Sequence, residues 1–459
     1  VPLSRRNFAQ HNLECDDGLE FGRRVDVYMT GNAIGNHRSI FWISVMALFT
    51  AAMANAIRGG ASEAMKAELF DPIAPANSAE LIGTTLGNAF LGFAISLLII
   101  SPLLDRIGAK RVILFAAICF IAGPVLIVAA PTMQGLSAIY AVLTAGMVLT
   151  GFGWGATEAS INPLITTIYP DDKTGKLNTL HAWWPAGIVV GGLVGVLFLQ
   201  ELGLGWRPLI LLLMLPGLVF GTWALRHNFP KTESTVQGIP FAEMIAEPFK
   251  RPGFFIFPAI MFLTASAELA PGAWVQVALT ETVGMQGILL LVYVSAIMFA
   301  MRHFAGPLAH RFSDMGLLCM CTIPAGIGLY LLSIANSPIT GLMAATLWAL
   351  GVCFMWPTML AAVARRYPRS GSWGIGIVGF AGAMAIWFVL PKIGAIYDTA
   401  KLEKAGGEAA FKALQSGTPE FHAVLAHAAE VSFKTISVIP VVLFFVFGAV
   451  WLFERSRKG

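Results

Sequence analysis

The chain has 459 residues, 56% of them hydrophobic and only 12% charged, with a net charge of +4 and a mean hydropathy of +0.72. A soluble protein of this length carries roughly 25% charged residues, so the composition excludes an ordinary soluble enzyme and indicates a polytopic membrane protein in contact with the lipid bilayer. The basic residues fall in small groups between apolar segments and nowhere form one face, which argues against a nucleic-acid partner.

Residues 1–38 are polar and charged, read as a cytoplasmic N-terminal tail without a signal peptide. Apolar stretches long enough to cross the hydrocarbon as helices follow at about 39–66, 79–104, 111–132, 136–168, 176–200 and 207–226. A second set occupies about 252–281, 285–310, 316–336, 339–366, 371–397 and 428–453. The expected architecture is an all-α membrane protein of twelve transmembrane helices in two six-helix halves, 39–226 and 252–453, joined by a cytoplasmic linker at 227–251. An extra polar segment at 399–427 reads as a short amphipathic helix and loop on the periplasmic side, and 454–459 as a cytoplasmic C-terminus. The basic residues fall mainly on one side, among them Arg106, Lys110, Arg111, Lys173, Arg226, Arg311, Arg365 and Arg366. That bias puts both termini inside and points to the cell (inner) membrane. The five cysteines, at 15, 119, 319, 321 and 353, lack metal-ligand spacing, and no nucleophile–base pair or cofactor motif appears. No metal, cofactor or enzymatic activity is expected.

The halves repeat each other. Ser101-Pro102-Leu103-Leu104-Asp105-Arg106-Ile107-Gly108-Ala109-Lys110-Arg111 follows the second span, and Gly306-Pro307-Leu308-Ala309-His310-Arg311 follows the eighth. Pro163 and Tyr169-Pro170 end the fourth span as Pro357 and Tyr367-Pro368 end the tenth. A duplicated six-span unit accounts for both pairs. The segment from Ser101 to Arg111 resembles the loop between helices 2 and 3 of the major facilitator superfamily, with Ser101 in place of the usual Gly, and Arg302 ahead of Gly306 fits the equivalent pattern in the second half. By that resemblance Asp105, Arg106, Arg111 and Arg302 are gating residues that latch the cytoplasmic side, with Asp105 set against a helix N-terminus.

Glu158 is a carboxylate in the middle of an apolar span, and Asn162 shares its helix face four residues on. A charge in hydrocarbon costs several kcal/mol and so tends to mark an ion, proton or substrate pathway. Pro163 leaves a carbonyl unpaired one turn earlier. The run Glu158-Ala159-Ser160-Ile161-Asn162-Pro163, with Leu177, Asn178, His181 and Gly187 on the fifth span, resembles the fucose and glucose symporter branch of the superfamily. That resemblance implies Glu158 as proton carrier and Asn162 as a ligand for hydroxyls. The chain departs from the branch on the first span, where Ile57 and Arg58 stand in the place of an expected Asp. Arg58 stays charged in a membrane and has two readings: it binds a substrate carboxylate, or it neutralises Glu158 or Glu268. Asn55 lies on its face and serves either.

Glu268, just before Pro271-Gly272, is a second candidate for proton or cation handling, or a gate contact at the periplasmic mouth. Indoles stack on the C–H faces of sugar rings, and Trp184, Trp274 and Trp356 join His181 as candidate substrate ligands. Gly187, Gly191 and Gly195, and Gly376, Gly379 and Gly382, have the spacing of close helix packing. The resulting expectation is a secondary active transporter that couples entry of a small polar solute, a sugar or sugar-like molecule, to a proton or to sodium. An organic-anion or sugar-acid carrier using Arg58, and a non-transporting membrane scaffold or assembly factor, are the alternatives.

Overall fold

The computed structural model describes residues 33–74, 78–283, 285, 287–415 and 417–456, with backbone alone at 33–35, 78–80, 273–282, 287, 288, 390 and 412. The expected tail therefore lies outside the described residues up to position 32. Among the described residues eleven helices are long and apolar enough to cross a membrane, and a twelfth, Leu289–Arg302, is shorter. Large apolar side chains point outward around the bundle, for example Ile118, Met343 and Phe445 at 61%, 65% and 68% exposed. Apolar exposure on this scale suits lipid and would be untenable in water.

The first half comprises α1 (Ala33–Leu69), α2 (Ser78–Ile107), α3 (Ala109–Ala129), α4 (Leu136–Ile168), α5 (Lys173–His181) with α6 (Trp183–Val196), and α7 (Trp206–Leu211) with α8 (Met214–Leu225). Two short helices, α9 (Glu233–Val236) and α10 (Phe241–Lys250), occupy the connection between the halves. The second half comprises α11 (Ile256–Val283), α12 (Gly287–Arg302), α13 (Ala305–Ser333), α14 (Pro338–Val352) with α15 (Met355–Arg366), α16 (Gly371–Ala405), α17 (Glu408–Ala413) and α18 (Pro419–Ser456). The polar segment expected as a separate insert at 399–427 is partly absorbed into its neighbours, since α16 runs on to Ala405 and α18 begins at Pro419.

Some spans break ahead of a proline, while Pro163 and Pro271 lie inside continuous helices. The fifth span divides at Ala182, the eighth at His303–Phe304 and the tenth at Cys353–Phe354. Each break sits three or four residues before a proline, Pro185, Pro307 or Pro357, which cannot donate to the carbonyl one turn earlier. The expected eighth span at 285–310 is accordingly cut after Arg302, and its last turns continue into the ninth as α13, bent at Ser313 with φ 63°.

The two halves meet on the face that carries the connection, called here the linker face. Ser372 Oγ donates to Ser101 O at 2.7 Å, and Thr174 Oγ1 donates to Asp314 Oδ1 at 2.8 Å with Arg365 bonded to both. Deeper in, Asn178 Nδ2 donates to Thr358 Oγ1 at 3.1 Å. Asp105 accepts from the hydroxyls of Thr232 and Ser234 at the start of α9, and Arg106 stacks on Phe241 of α10 at 3.7 Å. Arg111 is exposed, and its one side-chain hydrogen bond among the described residues runs to Ile107 O at the end of α2.

Small residues set the helix spacing. A Cβ at Gly187 would lie 2.6 Å from Phe49 O and one at Gly191 2.9 Å from Met53 O, so α6 rests directly on α1. Gly195 differs from the expected stripe: nothing lies within 4 Å of its Cβ position. A Cβ at Gly376 would fall 2.2 Å from the Ser101 Cβ, which makes α16 against α2 the tightest seam between the halves. Gly376→Leu is therefore expected to part the linker face. In a background with the native cysteines replaced, maleimide labelling of Ser372→Cys from that face should speed up, and an unchanged labelling rate would count against this seam as the closure.

Candidate functional site between the halves

Helix α4 presents Thr150, Trp154, Glu158 and Asn162 at four-residue intervals, a stripe that drifts from Thr150, packed on α1 and α3, to Glu158, which lies beside Trp356 of the other half. Glu158 is 3% exposed. Asn162 Nδ2 donates to Glu158 Oε2 at 2.7 Å and to the Glu158 carbonyl at 2.9 Å. His181 Nε2 meets Asn162 Oδ1 at 2.9 Å and lies 3.8 Å from Glu158 Oε2. Asn162 donates to the carboxylate through its amide nitrogen, so its oxygen is the acceptor, and the imidazole carries its proton on Nε2. The three expected residues Glu158, Asn162 and His181 thus form one hydrogen-bonded chain from α4 to α5.

Aromatic rings wall this chain. Trp154 is stacked between Phe93 (centroids 3.9 Å, interplanar 8°) and Trp184 (4.7 Å, 25°), so both its faces are occupied and only its N–H edge remains. The indoles of Trp154 and Trp356 lie beside the Glu158 carboxylate. Neither N–H has a partner at hydrogen-bonding geometry among the described residues, and Glu268 Oε2 is likewise enclosed without one. The ring of Trp356 packs on Gly382, where a Cβ would lie 2.4 Å from it. Enclosed polar atoms without partners are rare in folded proteins and call for a ligand or a functional role. The Trp274 side chain lies outside the described residues.

Arg302, expected among the gating residues of the cytoplasmic latch, lies instead in the interior. It is 2% exposed and its guanidinium makes three bonds: Nη2 to Glu268 Oε1 at 2.7 Å, Nη1 to His181 O at 2.6 Å and Nε to Cys353 O at 2.6 Å. The physical reason lies in the prolines. His181 O and Cys353 O are the carbonyls that Pro185 and Pro357 leave without a donor, and a buried carbonyl without a donor is costly. Arg302 satisfies one from each half. The carbonyl opposite Pro271, Ala267 O, is taken by Trp348 Nε1 at 3.1 Å. Glu268 is thus an ion-pair partner of Arg302 in the interior.

Arg58 meets neither interior carboxylate. It is 3% exposed, and its one side-chain hydrogen bond among the described residues runs from Nη1 to Thr150 Oγ1 at 2.9 Å. Asn55, one turn earlier on α1, is half-buried.

The comparisons with known proteins agree with this architecture. The sequence profile of the Major Facilitator Superfamily matches residues 40–391. The chain belongs to the Major Facilitator Superfamily. It is a multi-pass membrane transporter and not an enzyme. No curated protein sequence matches the chain. Among solved structures of the superfamily, the Escherichia coli fucose:proton symporter aligns with a TM-score of 0.64 at 16% identity, covering 89% of this chain and 99% of the other. The proton:xylose symporter XylE aligns at 0.68 and 14%, covering 90% and 95%. The human organic anion transporter MFSD10 aligns at 0.66 and 13%, covering 90% and 99%. At these identities the likeness is one of fold.

Trp154, Thr150, Trp348 and the proline-freed carbonyls were not anticipated from the sequence. Trp154 and Thr150 were legible as the residues one and two turns before Glu158, and the carbonyls by counting back four from each proline. Removing Arg302 strands Glu268 and two carbonyls at once. Arg302→Ala should lower unfolding stability by roughly 3–5 kcal/mol, seen as a drop in thermal unfolding temperature in detergent. Arg302→Lys should recover little, because an ammonium does not reproduce the planar fork, and an unaltered temperature in Arg302→Ala would refute the capping role.

Proposed function

We propose that this transporter is a proton-coupled symporter for a small polar, sugar-like solute, working by alternating access with the linker face on the cytoplasmic side. The observation that carries the reading is Glu158, a buried carboxylate held by an amide and surrounded by N–H groups, with no arginine or lysine within ion-pair distance among the described residues. Arg302 is committed to Glu268, so Glu158 is the buried acid without an ion-pair partner and the group placed to take up and release a proton.

The donor set favours a proton over sodium. Asn162 Nδ2 and the two indole edges suit a carboxylate and oppose a metal cation, whose site needs converging oxygens. Glu268 Oε2, enclosed without a partner among the described residues, is the free acceptor for a polyol hydroxyl, with Asn162, His181 and Trp184 close by. The fucose:proton and proton:xylose symporters share the fold and lend support to the same class of cargo.

His181 links cargo to movement. Its ring is bonded to Asn162 and its carbonyl to Arg302 of the other half, so a change at Glu158 is felt at a contact between the halves. Every hydrogen bond between the halves among the described residues lies at this depth or toward the linker face, consistent with a carrier sealed on the cytoplasmic side. In proteoliposomes, Glu158→Gln should reduce gradient-driven accumulation of a transported hexose or hexonate to the level reached without a proton gradient, while exchange of labelled for unlabelled solute persists. Full gradient-driven accumulation in this variant would remove Glu158 from the coupling step.

A further inference from the structure

The interior of the transporter holds a second unbalanced charge. Four ionised side chains are buried within the described spans away from the linker face: Arg58, Glu158, Glu268 and Arg302. The other buried charges, Lys173, Glu247 and Asp314, lie at the linker face with partners in Glu233, Arg251 and Arg365. Arg302 and Glu268 cancel each other. Arg58 has a hydroxyl where a counter-ion belongs, because Thr150 Oγ1 is neutral and donates its own hydrogen bond to Met147 O. Among the described residues, nearby acids are engaged or outside: Glu63 is exposed, Glu68 pairs with Arg207, and Asp71 pairs with Lys66. A guanidinium this enclosed is normally paired, since its desolvation is otherwise uncompensated.

Arg58 and Glu158 do not compensate each other directly. Thr150, which holds Arg58, precedes Glu158 by eight residues on α4, about 12 Å along the helix axis. Trp154 lies between them with its N–H edge unpartnered. The cation and the acid, neither with an ion-pair partner among the described residues, thus lie at two depths of one helix, with the Trp154 N–H edge between them.

We infer that Arg58, positioned by Thr150, binds the carboxylate of a monoanionic sugar acid, and that each transport cycle carries one proton and one such anion with no net charge. This rests on the proton-symport reading above and specifies its cargo. With His181 neutral, the empty interior counts two cations and two anions and is balanced. Protonation of Glu158 alone leaves one positive charge in excess, and the anion alone leaves one negative. The doubly loaded interior is balanced again. Reorientation moves these groups through a low-dielectric centre, where an unbalanced charge is heavily penalised. Empty and doubly loaded carriers therefore cross, singly loaded ones stall, and obligatory coupling follows from charge balance.

The test uses the full-length protein in liposomes, with gluconate, galactonate, glucuronate and galacturonate against glucose and galactose. At least one acid should accumulate under an inward proton gradient, at the same rate at zero and negative-inside clamped potentials, with no transport current on a supported membrane. Arg58→Gln should weaken binding of that acid roughly 30-fold or more, with the loss confined to acids. Thr150→Val, which keeps the charge and loses only the positioning bond, should show a smaller loss and serves if Arg58→Gln does not fold. Proton-driven uptake of a neutral hexose with an inward current would overturn the inference and leave the symport reading intact. Absence of binding by all four acids, or unchanged acid affinity in the Arg58 and Thr150 variants, would overturn it as well. Proton-independent uptake would instead defeat the symport reading itself.

Discussion

A single guanidinium holds the centre of this transporter together. Pro185 and Pro357 strip the partners from two carbonyls in broken spans of opposite halves, and Arg302 bonds both while pairing with Glu268. The planar fork of arginine suits this position, since three donors leave it in directions that a helix break on either side and a carboxylate on a third can each accept. Breaking spans at mid-depth is tolerable in a bilayer only where the freed backbone is satisfied within the protein. The prolines and Arg302 are therefore one device, and the discontinuity they create places His181 where its ring faces α4 and its carbonyl faces the second half.

Around that device the interior separates its charges by purpose. Arg302 and Glu268 form a closed pair with structural duties, whereas neither Glu158 nor Arg58 has an arginine, lysine or carboxylate at ion-pair distance among the described residues. Glu158 is contacted only by N–H groups, and Arg58 by one hydroxyl. An interior built solely for stability would pair these groups or replace them with apolar ones, which is often neutral or favourable. Their separation is better understood as room for what the carrier moves. The linker face does the opposite work: Ser101 against Gly376, Asp314 against Arg365, and Asp105 against the start of α9 seal it with short contacts.

Much of the architecture was legible in the residues. Length of apolar runs marks spans without reference to partners, because a helix satisfies its own backbone in lipid. The repeated Pro and Tyr-Pro signals showed the duplication, and Glu158 with Asn162 showed one face of the site. The boundaries at 285–310 and 316–336 were less legible, since a break after Arg302 depends on Pro307 and a bend at Ser313 on packing. Gly195 shared the spacing of Gly187 and Gly191 yet leaves open space at its Cβ position, because spacing specifies a face of a helix and not how closely its neighbour approaches.

The sequence by itself determined a membrane transporter of two six-span halves with a carboxylate at mid-depth, because hydropathy, helical periodicity and proline chemistry act within one segment. Only the tertiary structure decided the pairing of the buried ions. Arg302 could be read as part of a cytoplasmic latch, and Arg58 as the partner of Glu158, of Glu268 or of a substrate carboxylate, until the helices were assembled. Ion pairing depends on distances between segments far apart in the chain, and in a low-dielectric interior a few ångströms separate a neutralised charge from one that waits for its ligand.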